Sequence, residues 1–334
     1  MSELSENLEP TEESTPEPKP AEAVIDQLKA EASPRRLNII GRRNWFFLLS
    51  LIIIIPGIIS MVSRGFLLGI DFAGGTEFTV TFENNPSIAQ VESAVSSAIA
   101  GGSVIETGSG GFIIRTPPLT PAGQTSIESE LSKRLGTMNV QQVLEVGGTI
   151  AGETIEFALL AVVIAALAIL ALLAWRFHNV PGGWRAGFQF GGSALAALLH
   201  DVFLLTGVFS IIGRVLGLRI GEIDSLFVTA VLTVVGFSVH DTIVVFDRIR
   251  ENLRVSQRLS FEQVVNLSIM QTAARSIITS FTVVLVLVSI LIAGGATLKG
   301  FALALLIGIV SGTYSSIFNA APLLVVWRRL QPLR

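Results

Sequence analysis

The chain has 334 residues, half of them apolar, with 26 acids, 23 bases and no cysteine. Apolar runs of about 20 residues recur, which marks helical membrane spans and not one buried soluble core. The missing cysteines exclude disulfides and thiolate metal sites, and basic residues gathered at span ends without aromatic interleaving point to no nucleic-acid partner.

The net charge of −3 hides an asymmetry, because residues 1–34 carry nine acids against Lys19 and Lys29. This opening stretch is rich in Glu, Pro, Ser and Thr. It buries too little apolar surface to offset ordering entropy, so a disordered acidic cytoplasmic tail is expected, with a short helix over 22–31. It lacks the basic n-region of a signal peptide. Arg35, Arg36, Arg42 and Arg43 then precede a first span over 45–63, with Pro56-Gly57 as a kink.

Residues 64–154 form the one sizeable polar stretch. TEFTVTF (76–82) alternates as a strand does, and 87–100 has helical spacing behind Ser87 as N-cap. SVIETG (103–108) and GFIIRTP (111–117) read as two strands around a glycine turn. Residues 121–135 read as a helix behind Thr120, and 140–147 as a last strand. The order βαββαβ is the split-βαβ, ferredoxin-like α+β pattern.

Five more spans follow, over 155–175, 188–212, 225–246, 274–293 and 301–326, and the tail 327–334 closes the chain. The expected fold is thus a polytopic α-helical membrane protein with six transmembrane helices, one span before the folded domain and a five-helix bundle over 155–326 after it. Arginines decide the orientation. Both termini are expected in the cytoplasm and 64–154 outside it, because the short outer loops hold only Arg214, Arg219 and Lys299. Segment 255–271 is amphipathic and is expected to lie along the inner interface.

Polar residues interrupt the spans. The third contains His200-Asp201, and the fourth Ser238, His240, Asp241 and Thr242. The fifth begins with Thr272, Arg275, Thr279 and Ser280, and the sixth carries Ser311, Thr313, Tyr314, Ser315, Ser316 and Asn319 beside Gly308 and Gly312. A carboxylate at the centre of a span costs roughly 2.5–3.5 kcal/mol on the insertion scale, so it marks a functional site by default. Helical rise puts Asp201 within about 5 Å of the midplane and Asp241 roughly 8 Å toward the cytoplasm, a depth that Arg275 also reaches. Asp241 is read either as a titrating group or as half of a structural pair with Arg275. The hydroxyls at 238, 242 and 279 read as ligands or as packing residues bonded back to their own helix. The two glycines read as close-packing positions, and His200 as a packed histidine or a functional one.

Five motifs, in order, resemble the SecF family, the membrane subunit of the bacterial SecDF protein-translocation accessory complex. They are GIDFAGGT (69–76), AALLHDV (196–202), VGFSVHDTIVVFDRIREN (235–252), TAARSIITS (272–280) and IGIVSGTYSS (307–316). The residue before the fourth-span acid is commonly Asn in that family and is His240 here. The resemblance implies half of a resistance-nodulation-division (RND) bundle in the bacterial inner membrane, completed by SecD. It implies use of the proton motive force to help draw preproteins from the SecYEG channel on the outer face, with SecA acting indirectly from inside.

No cofactor or metal is expected, and no ATPase loop of the form GxxxxGK[ST] is present. The expected proton relay is Asp241, Arg275, Asp201 and His240, supported by the polar side chains of Ser238, Thr242, Thr279 and Ser280. The link after the first span supplies a hinge motif of Gly69, Asp71, Gly74 and Gly75. Asp71 and Glu77 are expected as surface or capping groups.

Three rivals remain. Two intramembrane aspartates suggest an aspartyl protease, but they stand on HD dipeptides and not on the YD and GxGD motifs of that chemistry. His200, Asp201, His240 and Asp241 suit a divalent metal if the third and fourth spans touch. An RND-type transporter of small molecules, lipids or metal shares the proton coupling, but such chains usually carry both halves.

Overall fold

A computed structural model describes residues 38–107, 110–255 and 259–332. The tail over 1–34 and its short helix lie outside the described residues. Six helices are long and apolar enough to cross a membrane: Arg43–Arg64, Gly148–Arg176, Gly183–Val215, Ser225–Val255, Phe261–Ala293 and Ala296–Leu330. They are called the first to sixth spans below, and each contains one predicted apolar run.

The helices outrun the apolar stretches. The fourth has 31 residues, about 46 Å at the helical rise, against a hydrocarbon core of about 30 Å. The fifth differs most from expectation. The amphipathic segment expected to lie flat is the first part of this span, which is helical from Phe261. A capping box of Ser260 and Gln263 starts the helix there, and no Gly or Pro interrupts 261–293. Its apolar stripe does not meet a lipid surface. Val264, Val265, Leu267 and Ile269 are buried, and Asn266 Oδ1 accepts the Ile39 and Ile40 amides at 2.9 and 3.3 Å.

Small residues set the distances between spans. Gly57 of the first and Gly207 of the third meet so closely that a Cβ on Gly57 would lie 2.8 Å from the Gly207 Cα. The helix runs unbroken through Pro56. Gly308 and Gly312 of the sixth span face Val234 and Ser238 of the fourth, where a Cβ on Gly312 would come within 2.9 Å of the Ser238 Cβ. The third, fourth and sixth spans form the interior, while the first, second and fifth leave residues such as Ile52, Ile59, Val163, Leu167, Ile278 and Phe281 exposed. A π-turn at Ile211–Val215 ends the third span, and one at Ser316–Ala320 interrupts the sixth.

The domain between the first two spans has β1 (Gly75–Phe82), α1 (Ile88–Ala98), β2 (Ser103–Glu106), β3 (Phe112–Thr116), α2 (Pro121–Leu135) and β4 (Met138–Val146). The sheet order is β2-β3-β1-β4 with antiparallel neighbours. So β1 and β2 run parallel with β3 between them, the split-βαβ arrangement. Alternation along β1 turns Phe78, Val80 and Phe82 inward, where they pack with Phe112, Ile114, Val91, Val95 and Leu131. Glu77 and Arg115 point to the opposite face.

Helix propensity favours Ala over Gly by about 1 kcal/mol in an open helix. At Gly57 the third-span backbone overrides this. Gly57→Ala is expected to lower the Tm of the purified protein in detergent. Gly236→Ala, where a Cβ meets nothing within 4 Å, is expected to hold or raise it.

Candidate functional site

Asp201 is 1% exposed in the middle of the bundle. Ser238 Oγ of the fourth span donates to it at 2.7 Å, and Ser311 and Ser315 of the sixth donate at 2.7 and 2.6 Å. His200 Nδ1 lies 3.0 Å from its Oδ1. Ser311 and Ser315 are one turn apart and share a face, and Gly308 and Gly312 bring that face against the fourth span. A second layer lies beside it. Thr242 Oγ1 and Ser316 Oγ are 2.8 Å apart, and both donate to the Ser238 carbonyl at 3.1 Å. One carboxylate therefore ties three helices together.

Asp241 is 2% exposed but far more loosely held. Ser280 of the fifth span and Thr313 of the sixth each approach its Oδ2 at 3.4 Å, and their hydroxyls lie 2.5 Å from each other. Charge-assisted O–H···O bonds are normally 2.5–2.7 Å, so both contacts to the carboxylate are long.

The expected pair with Arg275 does not form. Arg275 is exposed and lines a cavity of about 500 Å³ with Asp247, Arg248, Arg250, Glu251 and Arg254, at the bundle end away from the α+β domain. The reason is helical phase. Ser276 and Ser280 bring one face of the fifth span to the core, and both are buried. Residue 275 is turned about 100° from 276.

Other expected members also separate. Ser238 serves Asp201, and Thr242 serves Ser316, so neither touches Asp241. Thr279 is exposed and donates only to the Arg275 carbonyl of its own helix at 2.9 Å. His240 points out of the bundle, away from His200 and Asp201. Among the described residues no three His, Asp or Glu side chains assemble a metal site. Ser311, Ser315 and Thr313, which hold the two carboxylates, carried no assigned role in the sequence. The signal for Ser311 and Ser315 was serine at i and i+4 on the face that also carries the two glycines, and Thr313 stands off that face.

A second polar cluster joins the domain to the bundle. Arg115 Nε lies 2.5 Å from Glu77 Oε2, and its guanidinium also pairs with Glu222 in the loop before the fourth span. Asp71 Oδ2 accepts the Ser225 amide at 2.9 Å, and Asp224 Oδ1 accepts that of Phe227 at 2.8 Å. Both carboxylates thus serve the N-terminus of the fourth span, where the helix dipole favours negative charge. Gly69 donates to the Ile223 carbonyl, and Ile223 to that of Leu67, both at 2.8 Å. A Cβ on Gly69 would lie 2.9 Å from Glu222 Oε1, and one on Gly75 2.5 Å from the Thr116 carbonyl. The residues expected as a hinge are therefore a clamp, in which glycine permits close approach. Burial pushes the Glu222 carboxyl above the usual carboxylate range, while Arg115 and Arg219 pull against it.

Comparison with known proteins bears on both clusters. Residues 126–330 match the family model of the protein export membrane protein SecD/SecF C-terminal region, and residues 59–86 match the SecD/SecF GG motif. The protein translocase subunit SecF of Thermobaculum terrenum is 43% identical over 89% of this chain and 96% of its own. The chain belongs to the SecF family. The SecF subunit of Anaerolinea thermophila is 42% identical over 87% of this chain and 94% of its own. The crystal structure of SecDF from Thermus thermophilus superposes with a TM-score of 0.75 at 30% identity. That match covers 89% of this chain but 39% of the SecDF chain, so this chain spans about two fifths of it. The GG-motif match contains the Gly69–Gly75 side of the clamp, and Arg115, Glu222 and Asp224 lie outside it.

Two outcomes follow for these clusters. Ser315→Ala removes a hydroxyl bond to a buried charge and is expected to cost about 1.5–3 kcal/mol in denaturant unfolding, against less than about 0.5 for Thr279→Ala. Glu222 takes a proton more readily in the folded chain than in the unfolded one. Its contribution is therefore full below the unfolded pKa and is lost as pH rises through the folded one. The stability of wild type relative to Glu222→Gln is expected to grow as pH falls through that window.

Proposed function

We propose that this protein is a proton-driven accessory subunit of the Sec preprotein translocase that works with SecD at a late stage of export. The named relatives and the fused SecDF chain support SecD as its partner. Six spans make one half of an RND-type bundle, and parallel six-span repeats are the unit from which such transporters are built. The arginine bias over span ends supports cytoplasmic termini and an outer domain at 75–146, where preprotein emerging from SecYEG is met. SecA acts on the other side of the membrane and only indirectly. Neither an ATPase loop nor a hydrolase motif occurs in the sequence, which supports a transport-type machine and not an enzyme.

The observation that carries this reading is the loose seat of Asp241. A buried carboxylate with two long hydroxyl contacts gains and loses a proton at little structural expense, whereas a tightly caged one does not. In the proposed stroke the charged form holds Ser280 and Thr313 against the fourth span. The protonated form releases them, and the fifth and sixth spans repack. Arg275, toward the cytoplasmic end of the fifth span, lines the open cavity there and is the proposed relay group between that end and Asp241. His240 faces the partner half.

A proton crossing about 100 mV delivers about 2.3 kcal/mol. About 5.5 kcal/mol swings a two-state equilibrium from 1:99 to 99:1, so one proton supplies about two fifths of such a swing and two protons most of it. The clamp of Asp71, Arg115 and Glu222 then carries fourth-span motion into the outer domain.

The test is preprotein secretion into inverted vesicles containing the SecD complex, with and without a proton gradient. Asp241→Asn and Arg275→Ala are expected to insert normally and to lose gradient stimulation. Full stimulation with Asp241→Asn would overturn the role given to that residue.

A further inference from the structure

The side chain of His200 is 10% exposed and that of Asp201 beneath it 1% exposed. The contact between His200 Nδ1 and the carboxylate orients the ring, with Nδ1–H donating to Oδ1 at 3.0 Å. The other ring nitrogen, Nε2, is buried and has no hydrogen-bond partner among the described residues. It is a bare lone pair in the interior, which folded proteins seldom leave unmet. The ionisable neighbours of the ring are Asp201 on its own span and Tyr314 on the sixth, whose ring centroid is 6.2 Å away. The first span offers that tyrosine only neutral groups, the Phe46 carbonyl and Ser50. The fourth span offers Asp201 the neutral Ser238.

We propose that His200 and Asp201 form a second proton-binding site, in which a proton taken up at His200 Nε2 neutralises the dyad and loosens the serine clamp across three spans. The inference rests on the proton-coupled reading above and adds to it a residue and a site.

With neutral imidazole the dyad carries one negative charge, answered by three hydroxyl donors and one ring N–H. With imidazolium its net charge is zero. Hydroxyl bonds to a carboxylate owe about half their strength to that charge, so an imidazolium on Oδ1 competes with Ser311, which donates to the same oxygen. Ser238 donates to the other oxygen and stands three residues before Asp241 on one helix. A change in the clamp therefore reaches Asp241 through a single helical turn. The two carboxylates become coupled sites, each biasing the proton occupancy of the other.

The chain has three histidines, His178, His200 and His240, which makes the test direct. Histidine-selective ¹⁵N spectra are recorded on the full chain with its SecD partner in nanodiscs between pH 9 and 5. His200→Asn keeps an amide donor at the place of Nδ1, cannot take a proton, and assigns the signal. If that variant does not fold, His178→Asn and His240→Asn assign it by elimination.

The expected result is that the His200 Nε2 resonance passes from the bare to the protonated class, in a pH interval that shifts in Asp201→Asn. In vesicles, His200→Asn is expected to reduce gradient-driven secretion, with no further loss when combined with Asp201→Asn. A His200 signal that keeps one neutral tautomer over the whole range overturns the proposal, as does an interval indifferent to Asp201→Asn. Failure of the broader proton-coupled reading would appear separately, as full stimulation in Asp241→Asn with the His200 titration intact.

Discussion

The bundle depends on one constraint, that a carboxylate in a low-dielectric interior must find donors. Asp201 finds them on two other spans, and this sets the rotation and depth of each. Ser238, Ser311 and Ser315 reach it only if the fourth and sixth helices approach almost to backbone contact. That explains why Gly308 and Gly312 stand opposite Val234 and Ser238. It also explains the π-turn at Ser316–Ala320. A π-turn adds a residue to one helical turn, and here it begins where Ser315 turns toward Asp201 of the third span and Ser316 toward Thr242 and the Ser238 carbonyl of the fourth. Once Ser238 is fixed on Asp201, helical geometry leaves Asp241 facing the fifth and sixth spans.

The two carboxylates thus have opposite mechanical characters. Asp201 has short bonds to donors on helices that cannot separate without breaking them. Asp241 has long contacts to two hydroxyls that already satisfy each other at 2.5 Å. If Asp241 loses its charge, Ser280 and Thr313 keep a partner. Protonating it therefore costs little in hydrogen bonds, while protonating the Asp201 site alters contacts across three helices. The proposed cycle uses both, Asp241 as the loosely held proton site and Asp201 as the joint.

The six spans and the domain topology were legible because each is written locally, as an apolar run, a strand alternation or a cap. Asp241 was legible for the same reason, since one acid inside an apolar run needs no partner to be noticed. Asp201 carries the same signal, but its importance lies in serines 37, 110 and 114 positions away. Each of those hydroxyls, taken alone, is indistinguishable from a helix-packing residue. Matching depth suggested Arg275 as the partner of Asp241, yet depth is one coordinate and helical phase another. The run of Ser276 and Ser280, four apart, held the phase information that places Arg275 off the core face. The GG motif looked like a hinge because glycine permits bending, but it equally permits contact, and the neighbours of Gly69 and Gly75 decide for contact.

The clamp changes how motion must travel in the proposed cycle. A flexible link would let the outer domain drift independently of the bundle. Instead, Asp71 and Asp224 grip the first amides of the fourth span, and Arg115 bridges Glu77 in the sheet to Glu222 in the loop above that helix. From Ser225 to Asp241 the helix is continuous, about 24 Å of rod at 1.5 Å per residue. A rod fixed to the sheet at one end and to Asp201 through Ser238 near its middle cannot slide without moving both. In the proposed cycle, a small tilt about Ser238 on protonation of Asp241 would therefore reach β1 and β3 as a displacement of the whole sheet. The buried charges of the clamp make that joint stiff, because pulling Arg115 from Glu222 would leave this buried carboxyl with only the longer contact to Arg219 at 3.9 Å. These contacts join the α+β domain to the fourth span as a lever and not as a body on a tether.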